Sequence, residues 1–135
     1  MSVEIDHLGI AVRSLDEALK MYRDLLGMDV SVTESIEAEH VNVAMLPTGL
    51  ERGSPRIELL EATEAESVIA KFIRNHGPGL HHVALRVDDL RAAIERLRSG
   101  GVRLLNEPRQ GAGGHVYVFV HPVSAGGVLL ELIQK

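Results

Sequence analysis

Cysteine and tryptophan are absent from this 135-residue sequence, and phenylalanine and tyrosine are scarce. Without cysteine there can be no disulfide, no thiolate metal site and no cysteine nucleophile. The sequence suits a reducing compartment, and a cytoplasmic location is expected. So few aromatics leave little with which to stack nucleobases. Positive charge is also short: 14 Lys and Arg stand against 19 Asp and Glu, for a net charge of −5. That balance argues against a broad nucleic-acid footprint, although arginine outnumbers lysine and local anion sites fit the composition. No apolar run approaches the roughly 20 residues of a membrane span, and no charged leader precedes an apolar segment. Neither nucleic acid nor membrane is an expected partner. The length suits one domain, 1–135, burying roughly two-thirds of its extended surface.

What is present is a repeat. Ile5-Asp6-His7-Leu8-Gly9-Ile10-Ala11-Val12 and Leu80-His81-His82-Val83-Ala84-Leu85-Arg86-Val87 each place a histidine at the start of an apolar run. Each half then closes on a glutamate inside another apolar run, Arg56-Ile57-Glu58-Leu59-Leu60 and Leu129-Leu130-Glu131-Leu132-Ile133. His7 and His82 are 75 positions apart, Glu58 and Glu131 73, an offset that points to duplication. The period of two puts Leu8, Ile10 and Val12 on one face of the first strand and His7, Gly9 and Ala11 on the other. Small residues beside the histidine predict a cleft.

A helix is predicted after each histidine strand. Ser14 with Glu17 reads as a capping box before a stripe that Gly27 ends, and Asp88 or Asp89 caps a second stripe ending at Gly100-Gly101. Further strands are expected at Met28–Thr33, Val41–Leu46 and Arg56–Leu60, and at Val102–Leu105, Tyr117–Val120 and Val128–Ile133. A linking helix over 63–75, with a Thr63…Glu66 cap and a Gly77-Pro78-Gly79 stop, separates repeats 1–62 and 76–135. The expected class is α+β, two tandem βαβββ modules. Gln110-Gly111-Ala112-Gly113-Gly114 lacks the Lys-Ser/Thr pair of a phosphate loop. It reads as a hairpin loop or as a lid with exposed N–H groups.

A carboxylate within an apolar strand costs several kcal/mol of desolvation unless a cation or donors meet it. Arg56 or Arg86 could answer Glu58 and Glu131. One divalent ion would answer both carboxylates and both imidazoles, acting as a Lewis acid with open positions. Taken singly, each histidine reads as a hydrogen-bonded structural residue and each glutamate as solvated; the duplicated placement of all four is what favours a metal. His81 is assigned to packing or to support of the site, His40, His76 and His115 to surface or loops, and His121 to a turn.

With these residues in view, the chain resembles the vicinal oxygen chelate (glyoxalase-like) superfamily and, within it, the methylmalonyl-CoA epimerase family. Ile5 to Val12, Ile57 to Glu61 with Ser67 to Phe72, Gly79 to Ala84, and His121-Pro122…Gly127 to Leu132 carry the likeness over nearly the whole chain. Related glyoxalases usually have Asp-Pro-Asp-Gly where this chain has His121-Pro122-Val123-Ser124. The resemblance implies an open, barrel-like eight-stranded sheet and a homodimer. It implies a divalent ion, cobalt or manganese first and nickel or zinc next, on His7, Glu58, His82 and Glu131.

The implied reaction interconverts (2R)- and (2S)-methylmalonyl-CoA by 1,1-proton transfer through a metal-stabilised enolate, which needs two bases. Glu131 is the first base by family position. Some relatives carry the second, a glutamate, on the strand matching Val41 to Met45. Counting back from Pro47 puts Asn42 there, so Glu58, Glu39, His40 or a metal-bound water is left to serve. Val123 stands where lysine is common. Alternatives within the fold are a glyoxalase I-type lactoylglutathione lyase and a non-catalytic binding protein.

Overall fold

Branched residues alternating with small ones make Val3–Val12 a strand, β1, and Ser14 stops it by turning the chain into a helix. In the structure, a computed structural model that describes residues 2–111 and 114–135, the chain forms two compact units. One is His7–His81; the other joins Met1–Asp6 to His82–Lys135. Ala112 and Gly113 of the glycine-rich loop lie outside the described residues.

In the His7–His81 unit the strands run β2 (Val32–Ile36), β3 (Val41–Pro47), β4 (Arg56–Ala62), β1. β1 pairs with β4 in parallel, and the other neighbours are antiparallel. Helix α1 (Leu15–Leu19) continues as a wider π-helical turn over Lys20–Leu25 and stops at Gly27, whose φ of 85° suits glycine. Ser14 Oγ accepts from the Glu17 N–H at 3.2 Å, as the capping box requires. One sheet face buries Ala44, Leu46 and Leu59 with Ile10, Val12 and Leu19 against this helix.

The opposite face carries Ala11, Val41, Val43 and Leu60, packed with Ile69, Phe72 and Ile73 of helix α2 (Val68–His76). The expected cleft is therefore closed at its far end: Ala11, on the parity of His7, is fully buried under α2. That helix also starts later than Thr63. The Thr63 N–H donates to His40 O at 2.9 Å, which extends the sheet, and buried Ser67 supplies the cap, accepting from Ile69 N.

In the second unit β5 (Gly79–Val87) pairs in parallel with β8 (Leu130–Gln134), which pairs antiparallel with β7 (Val116–Val120), and β7 with the edge strand β6 (Arg109–Gln110). Asp89 caps helix α3 (Leu90–Ser99) through Ala92 N at 3.0 Å. Val87, Ala93, Ile94, Val118 and Leu132 form its core.

Two expected strands differ. Met28 stays with the helix end, its N–H on Tyr22 O, and β2 begins only at Val32. Val102–Leu105 forms no strand: Val102 N bonds back to Leu97 O, Leu104 makes a single bridge to Val120, and Asn106 Oδ1 takes the Phe119 N–H. A side chain has replaced a strand partner there.

Each unit also ties its glutamate strand to its helix. Glu61 Oε2 accepts from Leu15 N at 2.7 Å, and Gln134 Oε1 accepts from Leu90 N at 2.7 Å. Both acceptors lie three residues after the glutamate, Glu58 or Glu131, and both donors are the first residue of their helix. Each bond satisfies an amide that a helix start leaves open.

Candidate metal centre

β1 and β4 set His7 opposite Arg56 and Gly9 opposite Glu58. His7 and Glu58 are diagonal neighbours on one face, with Gly9 directly across from Glu58. His7 Nε2 stands 3.6 Å from Glu58 Oε1. On the far side of β4, Met45 faces Glu58.

The second unit repeats the arrangement. Ala84 stands opposite Glu131, and His82 Nε2 is 3.5 Å from Glu131 Oε1. Phe119 faces Glu131 from β7, and its ring meets that of His82 edge-on, centroids 6.2 Å apart at 90°. Both imidazoles are 6% exposed, and both carboxylates are largely covered.

These separations are too long for good N–H···O bonds. They suit two ligands of one ion: donors each about 2.1 Å from a metal, at ordinary angles, lie about 3.0–3.6 Å apart. Neutral imidazole nitrogen with carboxylate oxygen is a donor set for divalent first-row ions. The residues fit such an ion.

Other expected residues go elsewhere. Asn42 is one residue out of phase with the site face: it stands opposite Glu61, donates to Glu61 Oε1 at 3.1 Å and bonds Ser35 Oγ. The residues of β3 that share the parity of Glu58 are Val41, Val43 and Met45, so that strand brings no base to that face. Glu39 ends a short 3₁₀ turn, and half-buried His40, with φ 54°, pairs with Glu64 at 3.3 Å. His81 packs edge-on against Phe72, centroids 4.9 Å apart, which is the packing role expected of it. His121 Nδ1 accepts from Val123 N at 3.0 Å, a turn cap. Arg86 binds Glu4 at 2.6 Å and buried Asp6 at 3.4 Å, and Lys135 binds Asp6 at 2.7 Å, so Arg86 is engaged with those acids.

Phe119 and the Glu61 and Gln134 ties escaped the sequence reading. Phe119 follows from register, which sequence does not display. The ties were within reach, because a carboxylate or amide recurs three positions after each glutamate.

Residues 6–119 match the model of the glyoxalase/bleomycin resistance protein/dioxygenase superfamily. The mitochondrial methylmalonyl-CoA epimerase of Dictyostelium discoideum is 37% identical over 134 residues, 98% of this chain and 78% of that protein. An ethylmalonyl-CoA/methylmalonyl-CoA epimerase of Cereibacter sphaeroides is 35% identical over 133 residues, 96% of each. The crystal structure of methylmalonyl-CoA epimerase from Mycobacterium tuberculosis is 42% identical, with a TM-score of 0.85 over 97% of this chain and 87% of that one. A superfamily match across most of the chain, with full-length likeness in sequence and fold, settles descent: the chain belongs to the glyoxalase/bleomycin resistance protein/dioxygenase superfamily.

Proposed function

We propose that this protein is a metal-dependent enzyme that epimerises methylmalonyl-CoA at C2. The observation that carries the reading is the pairing of a buried histidine with a largely covered glutamate, built twice, in a chain whose full-length relatives are named for that reaction. In this reading the repeats 1–62 and 76–135, joined through 63–75, are a duplication, and His7, Glu58, His82 and Glu131 share one ion.

Bound there, a divalent ion, cobalt or manganese in preference to nickel or zinc, would supply a Lewis acid that offsets the negative charge developing as the C2 proton leaves. The imidazoles of His7 and His82, each 6% exposed, serve as nitrogen donors. Glu131 takes the proton from one epimer and Glu58 returns one from the opposite side. Two glutamates on equivalent strands of a duplicated fold are suited to that division of labour, since a 1,1-transfer needs acceptors on both faces of one carbon. With Val43 and Met45 on the β3 side, Glu58 is the acceptor that the unit offers. The reading extends to a homodimer, as the family resemblance implies, and to the cytoplasm, on the cysteine-free sequence.

The test is exchange. Protein loaded in turn with each metal is expected to wash the C2 proton of methylmalonyl-CoA into deuterium oxide and to interconvert the epimers. Folded, metal-loaded protein that exchanges nothing would refute the assignment. Turnover of methylglyoxal with glutathione instead would favour the lactoylglutathione lyase.

A further inference from the structure

We propose that Phe119, backed by Tyr117, limits the size of the substituent that the site accepts on the reacting carbon, favouring methyl over ethyl. The inference rests on the epimerase reading. Phe119 stands opposite Glu131 in the β7–β8 register and meets His82 edge-on at 6.2 Å. One ring therefore meets His82 edge-on and shares a sheet face with Glu131 across the β7–β8 pair, so a carbon that gives its proton to Glu131 sits on the face this ring occupies, with its substituent beside it.

The wall is also held. The Phe119 N–H donates to Asn106 Oδ1 at 2.8 Å, and its carbonyl accepts from Leu105 N at 2.8 Å. Tyr117 packs against the Phe119 ring, centroids 5.7 Å apart at 77°. Behind Tyr117 the chain comes close at Gly111, where an added Cβ would lie 3.1 Å from Tyr117 Cε1. A pinned backbone and a backed ring leave Phe119 little room to yield. The equivalent neighbour of Glu58 is Met45, an unbranched side chain that can re-pack. The restriction therefore lies on the Glu131 side.

One methylene in a close-fitting apolar site is worth about 10- to 200-fold in kcat/KM. The experiment compares kcat/KM for methylmalonyl-CoA and ethylmalonyl-CoA in the metal-loaded wild type, Phe119→Leu, Phe119→Ala and Tyr117→Ala. The methyl-over-ethyl ratio is expected to exceed one in the wild type, to fall about tenfold in Phe119→Ala, and to fall less in Tyr117→Ala, which only frees the ring. Phe119→Leu keeps an apolar side chain and carries the test should the alanine variant not fold. A ratio unmoved by the folded Phe119 variants overturns the proposal. If the wild type epimerises neither substrate, the epimerase reading fails while this one is still decided by calorimetry. Phe119→Leu should then raise the affinity for butyryl-CoA relative to propionyl-CoA. An unchanged affinity ratio, or no binding of either thioester, overturns it.

Discussion

The two His–Glu pairs are built on the same ladder and given different walls. In the His7–His81 unit, helix α2 seals the face beyond the pair, burying Ala11, Val43 and Leu60 under Ile69 and leaving flexible Met45 beside Glu58. In the other unit the same face runs from His82 and Glu131 to Phe119, Tyr117 and Arg86, with the arginine drawn to Glu4 and Asp6. What is equal in both units is what a shared ion and two bases require. What differs is what a ligand would meet: the two ladders match, and the walls beside them do not.

The sharpest break of that equivalence is chemical. Glu131→Gln and Glu58→Gln each keep an oxygen donor and remove a base, and each should lower epimerisation about 10²- to 10⁴-fold with circular dichroism unchanged. If the two glutamates divide the work, each variant still exchanges the C2 proton of one epimer with deuterium oxide, and the two variants keep opposite epimers. Full epimerisation by Glu131→Gln would remove that residue from the base role.

The packing equivalence is tested by Leu59 and Leu132, neighbours of the two glutamates and buried at 0% and 6% exposure. Leu59 packs toward α1, and Leu132 belongs to the core around α3. Replacement by alanine should cost about 2–5 kcal/mol at either site, more at Leu59, by urea unfolding. A cost below 1 kcal/mol at Leu59 would mean the face relaxes around the loss.

Metal linkage asks whether the pairs serve one ion. Ion at a hundredfold excess over its Kd should stabilise the fold by about 2.7 kcal/mol, raising Tm, with a chelator reversing the gain. For a shared ion, His7→Ala and His82→Ala each abolish the rise and reduce bound metal by the same amount. Half the metal kept by either variant would mean separate sites.

How much of this was legible in the sequence depends on which signal carried it. The histidine and glutamate strands were readable because a constant offset repeats them, and α1 and α3 because Ser14, Asp89 and the glycines after them mark their ends. Asn42 was misplaced because a slip of one residue reverses the face of a strand, and counting from Pro47 cannot detect it. The seal over Ala11 was hidden because an alanine suits an open cleft and a close helix contact equally well. Val102–Leu105 has the composition of a strand, yet Val102 is drawn to the end of α3 and the Asn106 side chain takes over a strand amide. Those outcomes are tertiary, and local propensity does not rank them.

The smallest expected effect concerns the ties, where equal geometry conceals unequal chemistry. Glu61 and Gln134 each accept the first helical N–H at 2.7 Å, but Glu61 also receives the Asn42 amide. A carboxylate at a helix N-terminus gains from the positive end of the dipole, and a neutral amide does not. Glu61→Ala should therefore cost about 1–2 kcal/mol and Gln134→Ala about 0.5–1 kcal/mol. Glu61→Gln should recover most of the difference by keeping an acceptor for Leu15 N. Equal costs for the two alanine variants would show that the hydrogen bond alone sets the value. A Glu61→Gln variant as unstable as Glu61→Ala would instead assign the whole contribution to charge.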